Sequence, residues 1–331
     1  MGNVTNCFVT GATGFVGRHL VRRLLDEGMI LTCLSRSGLP FNDNDSRIHW
    51  VSGDLNQSAH YAESLKDADC VIHLAGIINS RHREDYHNIN VEGTSRLLEA
   101  CRTYATSLKK FVLVSSIAAL GPNSTGNLLS EKDVPRPETE YGKSKLLAEM
   151  EALKYVADFP VVILRPTFVY GPGDMRGLKF LKLLSEHDEL ISFSVIETAG
   201  LCYVEDLVSA CVLSFRKPGS SGQIFHISDK QAYTWRQVNE ILKQVITNLY
   251  PGPRSDNFIF RRVLDQKSPV SDQMCDGRLI RKYWGCSIDK ANRLLDFVPQ
   301  YTLREGALET IRWYRDCDLY ALHREPTRAT S

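Results

Sequence analysis

A phenol and an ammonium stand four residues apart in the stretch YGKSK, as Tyr141 and Lys145. On a helix they would share one face, one turn apart. An ammonium beside a phenol stabilises the phenolate and lowers a pKa that is about 10 when unperturbed. Tyr141 could then give or take a proton. Ser116 lies 25 residues earlier, at the end of the apolar run KFVLVSS. A hydroxyl there could orient a carbonyl or alcohol oxygen while Tyr141 exchanges its proton with it. Such Tyr/Lys pairs are also common on solvated helix faces, so the pair gains meaning only from what surrounds it.

The surroundings include TGATGFVGRHL, which places Gly11, Gly14 and Gly17 between an apolar run and a helical pattern. Gly11 allows a tight turn, Gly14 lets backbone approach phosphates, and Gly17 lets a helix pack close to a strand. The helix amides that follow can receive a pyrophosphate. The spacing is G-x-x-G-x-x-G. It is no P-loop, because the position five before Gly142 in the only GKS is Pro137. The second apolar run ends in Ser35-Arg36-Ser37, with no carboxylate for ribose hydroxyls. A guanidinium flanked by hydroxyls suits a 2′-phosphate, so NADP is the expected cofactor. NAD remains open if Arg36 only stacks on adenine. Asp54, in SGDL, is placed to accept from the adenine amino group.

Six near-continuous Val/Ile/Leu runs, at 4–10, 30–35, 48–54, 70–76, 110–116 and 160–166, read as strands buried on both faces. Helical patterns at 57–66, 84–105 and 140–157 alternate with them. The expected class is α/β, a doubly wound parallel sheet of Rossmann type with its ligand beyond the carboxyl ends of the strands. After Pro166 the segments shorten. Helices are expected at 204–216, 234–248 and 303–316 and a strand at 223–227, while 251–283 has no period. We expect a cofactor domain over 1–170, with 200–228 returning to it, and a smaller, loop-rich C-terminal substrate lobe over 171–331.

Composition removes several classes. A net charge of +1 with scattered Arg/Lys pairs gives no field for nucleic acid or a membrane surface. No apolar run approaches the ~18 residues of a membrane span, and no signal peptide is visible. Nine cysteines, without C-x-x-C and mostly in apolar runs, suggest reduced thiols in a cytoplasmic protein. His82 and His87 sit in a charged stretch, and no metal-ligand spacing appears. The triplets at Asn3, Asn56 and Asn123 read as chance.

In order, TGATGFVG, GDL, HLAG, NVEGT, VSSIAALG, YGKSK, LRPTFVYGPGD, YVEDL and LDFVPQYTLREG resemble the extended short-chain dehydrogenase/reductases, the epimerase/dehydratase family, across about residues 5 to 315. The resemblance implies catalytic roles for Ser116, Tyr141 and Lys145. It implies cofactor contacts at Gly11, Thr13, Gly14, Phe15, Val16, Gly17, Arg36, Asp54, Leu55, Ala75, Gly76, Tyr141, Lys145 and Pro166. Asn90 matches an asparagine near the family's active site. The family commonly pairs helices from two subunits, which allows a homodimer.

Departures narrow the activity. Family dehydratases carry Asp-Glu after the catalytic hydroxyl residue, where this chain has Ile117 and Ala118. Nucleotide-sugar epimerases usually carry arginine where this chain has Ala199, although Arg176 or Arg278 could replace that grip. SSIAALGPN is similar to the same segment in 3β-hydroxysteroid dehydrogenases and dihydroflavonol-type reductases. Phe168, Phe180, Phe193, Tyr203 and Trp284 are candidates for an apolar pocket. The expected activity is NADP(H)-dependent interconversion of a secondary alcohol and a ketone on a compact, steroid- or flavonoid-like small molecule. The alternatives are a nucleotide-sugar epimerase with tightly bound NAD, and a cofactor-binding scaffold without chemistry.

Overall fold

The computed structural model describes residues 5–36, 45–177, 196–249 and 282–317. Seven parallel strands form one sheet in the order β3-β2-β1-β4-β5-β6-β9. They are β1 (Asn6–Thr10), β2 (Ile30–Ser35), β3 (Ile48–Ser52), β4 (Cys70–His73), β5 (Lys110–Val114), β6 (Val161–Pro166) and β9 (Gln223–Ile227). The order reverses next to β1, so a crevice opens at the carboxyl ends of β1 and β4. Every residue of β4, β5 and β6 is buried. Alternate residues feed two cores. Cys7, Val9, Ile72, Val112 and Leu164 join one, and Phe8, Val71, Phe111, Leu113 and Ile163 join the other.

The first core is covered by helix α1 (Phe15–Asp26) and helix α5 (Val204–Arg216). The second is covered by α3 (Gly93–Tyr104), with α4 (Glu140–Leu153) packed beside it. The helix expected over 57–66 is two short 3₁₀ turns, Ser58–His60 and Ala62–Leu65. The one expected over 84–105 starts as a single turn, α2 (Arg83–Asp85), and loosens into a π-helical stretch, Tyr86–Glu92, before α3. Hydrophobic period does not register such a change of winding.

Beyond β6, a second sheet runs β10-β8-β11, with β7 also paired to β8. Its strands are β7 (Phe168–Tyr170), β8 (Ile196–Tyr203), β10 (Ala232–Thr234) and β11 (Lys282–Trp284). Helices α6 (Trp235–Leu249) and α8 (Leu303–Asp316) pack on it through Val238, Leu242, Val245, Ala307 and Ile311. A short helix, α7 (Asp289–Leu295), packs near β9. α8 begins in a capping box, with Thr302 and Glu305 each accepting from the other's backbone amide. Among the described residues no helix is long and apolar enough to cross a membrane.

Candidate active site

The glycine turn is tight enough to need glycine. Gly11 has φ +74°, and a Cβ there would lie 2.7 Å from the Ala75 nitrogen. A Cβ on Gly17 would lie 2.0 Å from the Gly11 carbonyl oxygen. The missing side chains let α1, the turn and the end of β4 nest together. Gly14 caps α1 without a side chain, so no side chain occupies the amides of the first turn. Thr13, Phe15 and Val16 are half-buried and Gly14 is exposed along this lip. At the next strand end, Ser35 is buried and its hydroxyl has no partner, while Arg36 is exposed. A free cradle and an orphaned hydroxyl fit the pyrophosphate and adenosine ribose of a dinucleotide. Ser37 lies outside the described residues.

The other expected cofactor residues follow the same edge. Asp54 is half-buried and accepts from the Asn56 amide at 2.9 Å. Leu55 turns its side chain into the second core, against Gly93. Ala75 is half-buried, Gly76 is exposed, and Pro166 is buried at the end of β6.

A buried polar chain ties this edge to the catalytic helix. Thr94 Oγ1 donates to the Asn90 carbonyl at 2.6 Å and therefore accepts from His73 Nε2 at 2.9 Å. His73 Nδ1 then accepts from Thr10 Oγ1 at 2.6 Å, and Thr10 accepts from the Ala75 amide at 3.2 Å. Burial, and next the charge of Lys145, lower the His73 pKa to about 3, so the ring stays neutral. The Asn90 side chain accepts from the Ile77 amide at 2.8 Å and donates to Ile77 O and Ser144 Oγ. Ser144 donates to the Tyr141 carbonyl at 2.8 Å. Asn90 sits in the π-helical stretch, where such windings often serve a site. His73 and Ser144 were missed in the sequence. A histidine inside an apolar strand was the available signal.

Helix α4 starts at Thr139, whose hydroxyl accepts from the Gly142 amide at 2.9 Å. A Cβ on Gly142 would lie 2.3 Å from the Ala118 carbonyl oxygen. That contact brings the helix start against the turn after Ser116. Glycine inside a helix costs about 1 kcal/mol relative to alanine, which was the overlooked clue to a packing role. Ser116 accepts from the Ala118 amide at 3.1 Å and lies near enough to Tyr141 to favour its phenolate. The structure therefore brings Ser116 and Tyr141 together.

Lys145 is anchored at the tip of β5. It is buried, and its Nζ donates to the Val114 carbonyl at 2.8 Å. Burial raises the Tyr141 pKa, opposed by the nearby Ser116 hydroxyl and the charge of Arg176. The ammonium of Lys145 thus reaches the strand end, and Arg176 adds a cation that favours the phenolate. Burial lowers the Lys145 pKa to about 8, and Glu149 opposes the change.

After Ser116, Ile117, Leu120, Leu129 and Cys286 form a buried apolar cluster, with the partly buried Trp284 packed against it. Phe168, 41% exposed, meets Trp284 edge-on at 6.2 Å. Tyr203 instead lies buried between Tyr170 and Tyr301, as core. Ala199 is fully buried in β8. Phe180, Phe193 and Arg278 lie outside the described residues.

The family model described as "NAD dependent epimerase/dehydratase family" matches residues 7–228. The chain is 32% identical over 234 residues to a ceramide reductase of Caulobacter vibrioides, covering 70% of this chain and 67% of that protein. It is 31% identical over 317 residues to a UDP-glucose 4-epimerase of Vibrio cholerae, covering 91% of this chain and 93% of that one. The solved structure of MoeE5 with UDP-glucuronic acid and NAD superposes with a TM-score of 0.75 at 28% identity, covering 94% of this chain and 99% of that one. The chain belongs to the NAD-dependent epimerase/dehydratase family and, like it, is a nicotinamide-dependent enzyme.

Proposed function

For this member of the family, we propose an oxidoreductase that interconverts a secondary alcohol and a ketone on a compact apolar substrate, steroid- or flavonoid-like in size. The observation that carries the reading is the apolar cluster next to Ser116, in which Trp284 packs on the buried Ile117, Leu120 and Leu129. Ile117 and Ala118 stand where a dehydratase needs an acid and a base.

In this reading Ser116 orients the substrate oxygen and Tyr141 exchanges a proton with it. The nicotinamide, when bound, supplies or accepts the hydride. Lys145, held at Val114, stays within reach of the nicotinamide ribose. Gly11, Gly14 and Gly17 admit the pyrophosphate, and Ser35 with Arg36 favours a 2′-phosphate, hence NADP over NAD. Residues 1–170 with 200–228 would carry the cofactor, and 171–331 the substrate.

A second reading, a nucleotide-sugar epimerase that keeps its NAD, draws on the near full-length likeness to the Vibrio cholerae epimerase. Ala199, buried where such enzymes carry arginine, weighs against it.

Replacing Tyr141 by Phe is the direct test. Turnover should fall by about 10²–10⁴ while NADPH still binds, since general acid–base catalysis contributes that much. Undiminished turnover sinks the reading. Nucleotide that co-purifies as NAD and resists dialysis moves the epimerase to first place.

A further inference from the structure

Directly behind the reacting groups lies an ionic cluster. Glu149, one turn beyond Lys145 on α4, is 1% exposed. Its carboxylate receives Arg165 Nε at 2.9 Å and Nη2 at 2.6 Å, and the Ser115 hydroxyl at 2.5 Å. Arg165, on β6, is 2% exposed. Ser115 follows the residue whose carbonyl holds Lys145 and precedes Ser116. Its amide donates to Leu164 O at 2.7 Å. Three successive residues at the tip of β5 are therefore committed. Val114 takes Lys145, Ser115 takes Glu149, and Ser116 faces Tyr141.

A buried ion pair gives weak grounds for net stability, because desolvation offsets the attraction. Apolar residues would hold α4 to the sheet as well. The pair does something apolar residues cannot: it leaves a fixed negative group one turn from a buried ammonium. We propose that Glu149 is a positioning residue for the reaction, anchored by Arg165 and gripping Ser115, which fixes the β5 tip and keeps Lys145 charged at Val114.

The groups facing Lys145 agree with this. Glu149 favours its charged form, and His73 stays neutral and adds no repulsion. Without Glu149, burial alone would act on the ammonium. The inference rests on Tyr141 and Lys145 as the reacting pair, but its test reads Lys145 itself and needs no substrate.

The experiment is a ¹³Cε-lysine NMR titration of the full chain, with the Lys145 signal assigned by its loss in Lys145→Arg. Glu149→Gln alone strands a buried guanidinium, so the decisive variant is Glu149→Gln/Arg165→Gln, which removes both charges and keeps hydrogen-bonding groups. The Lys145 midpoint should fall, by less than the unit or more typical of losing a nearby opposite charge, because the like charge of Arg165 goes with it. Glu149→Asp, which keeps the pair charged, should lower it by a smaller step. An unchanged midpoint in either folded variant overturns the proposal. So does a fall in Glu149→Asp as large as in the double variant, because the effect would then come from packing rather than charge. Loss of turnover in Tyr141→Phe bears on the proposed activity and leaves this result untouched.

Discussion

The glycine-lined strand edge and the apolar cluster after Ser116 are built on opposite principles. On the strand edge, backbone touches backbone, and the polar groups from Ala75 through Thr10, His73 and Thr94 to Asn90 are joined in one chain. The apolar cluster is made of side chains. Phe168 is partly open, and the buried Trp284 indole nitrogen has no partner. Backbone contacts dictate residue type, because only glycine fits. Side-chain walls accept many residues of similar volume. The first edge can be shared by enzymes with different substrates, while the second can differ among them.

The contrast breaks most severely at Gly17. An alanine Cβ there would sit 2.0 Å from the Gly11 carbonyl oxygen, with backbone on both sides and no flexible side chain to yield. Gly17→Ala should lose at least the ~1–3 kcal/mol typical of overpacking and abolish measurable NADPH binding. A thermal melt and a fluorescence titration check both. Retained binding would mean that the turn is not the nucleotide cradle.

Thr94→Val tests the polar chain next. The shape is kept, but His73 Nε2 and the Asn90 carbonyl lose their shared partner. Leaving a buried donor unsatisfied costs about 1–3 kcal/mol. Chemical denaturation should show a loss in that range, and a stability like that of the parent would make the chain incidental.

Phe168→Ala sharpens the other side of the comparison. Phe168 is 41% exposed and touches Trp284 by an edge. Stability should change by about 1 kcal/mol or less, since only part of the ring is buried. Under the proposed activity, KM for an apolar ketone should rise several-fold with kcat little changed. An unchanged KM would place the substrate elsewhere.

How much was legible in the sequence follows the same division. Six of the seven strands of the parallel sheet were readable because strands buried on both faces must be apolar throughout, as in KFVLV and VVILRP. Ser116 beside Tyr141 was readable because strand end and helix start are positions the fold fixes. The π-helical winding around Asn90 was not, since it leaves the apolar period almost unchanged. The Lys145–Val114 bond was not, because side-chain reach depends on which carbonyl lies within range. That Tyr203 is core rather than pocket was left open for a related reason. An aromatic residue carries no mark of which neighbours will enclose it, and here Tyr170 and Tyr301 do.

Helix α1 is joined to α5 and to the loop after β7 at a point that should respond to pH. His19, on α1, places Nδ1 2.6 Å from a Glu205 carboxylate oxygen and Nε2 2.7 Å from the Pro172 carbonyl. Both partners are acceptors, an arrangement that favours the imidazolium, in which both ring nitrogens donate. Burial opposes that charge, as does Arg22. The bonds to Glu205 and Pro172 outweigh them and raise the pKa above the usual 6.5. A raised folded-state pKa gives stability that is fully present below the unfolded value and is lost as pH rises through the folded value. Stability should therefore decline from about pH 6.5 upward. In His19→Gln, which cannot carry the charge, that part of the decline should vanish. Melts of parent and variant across pH 5 to 9 read the difference, and parallel curves would show that the ring is neutral and the link no more than packing.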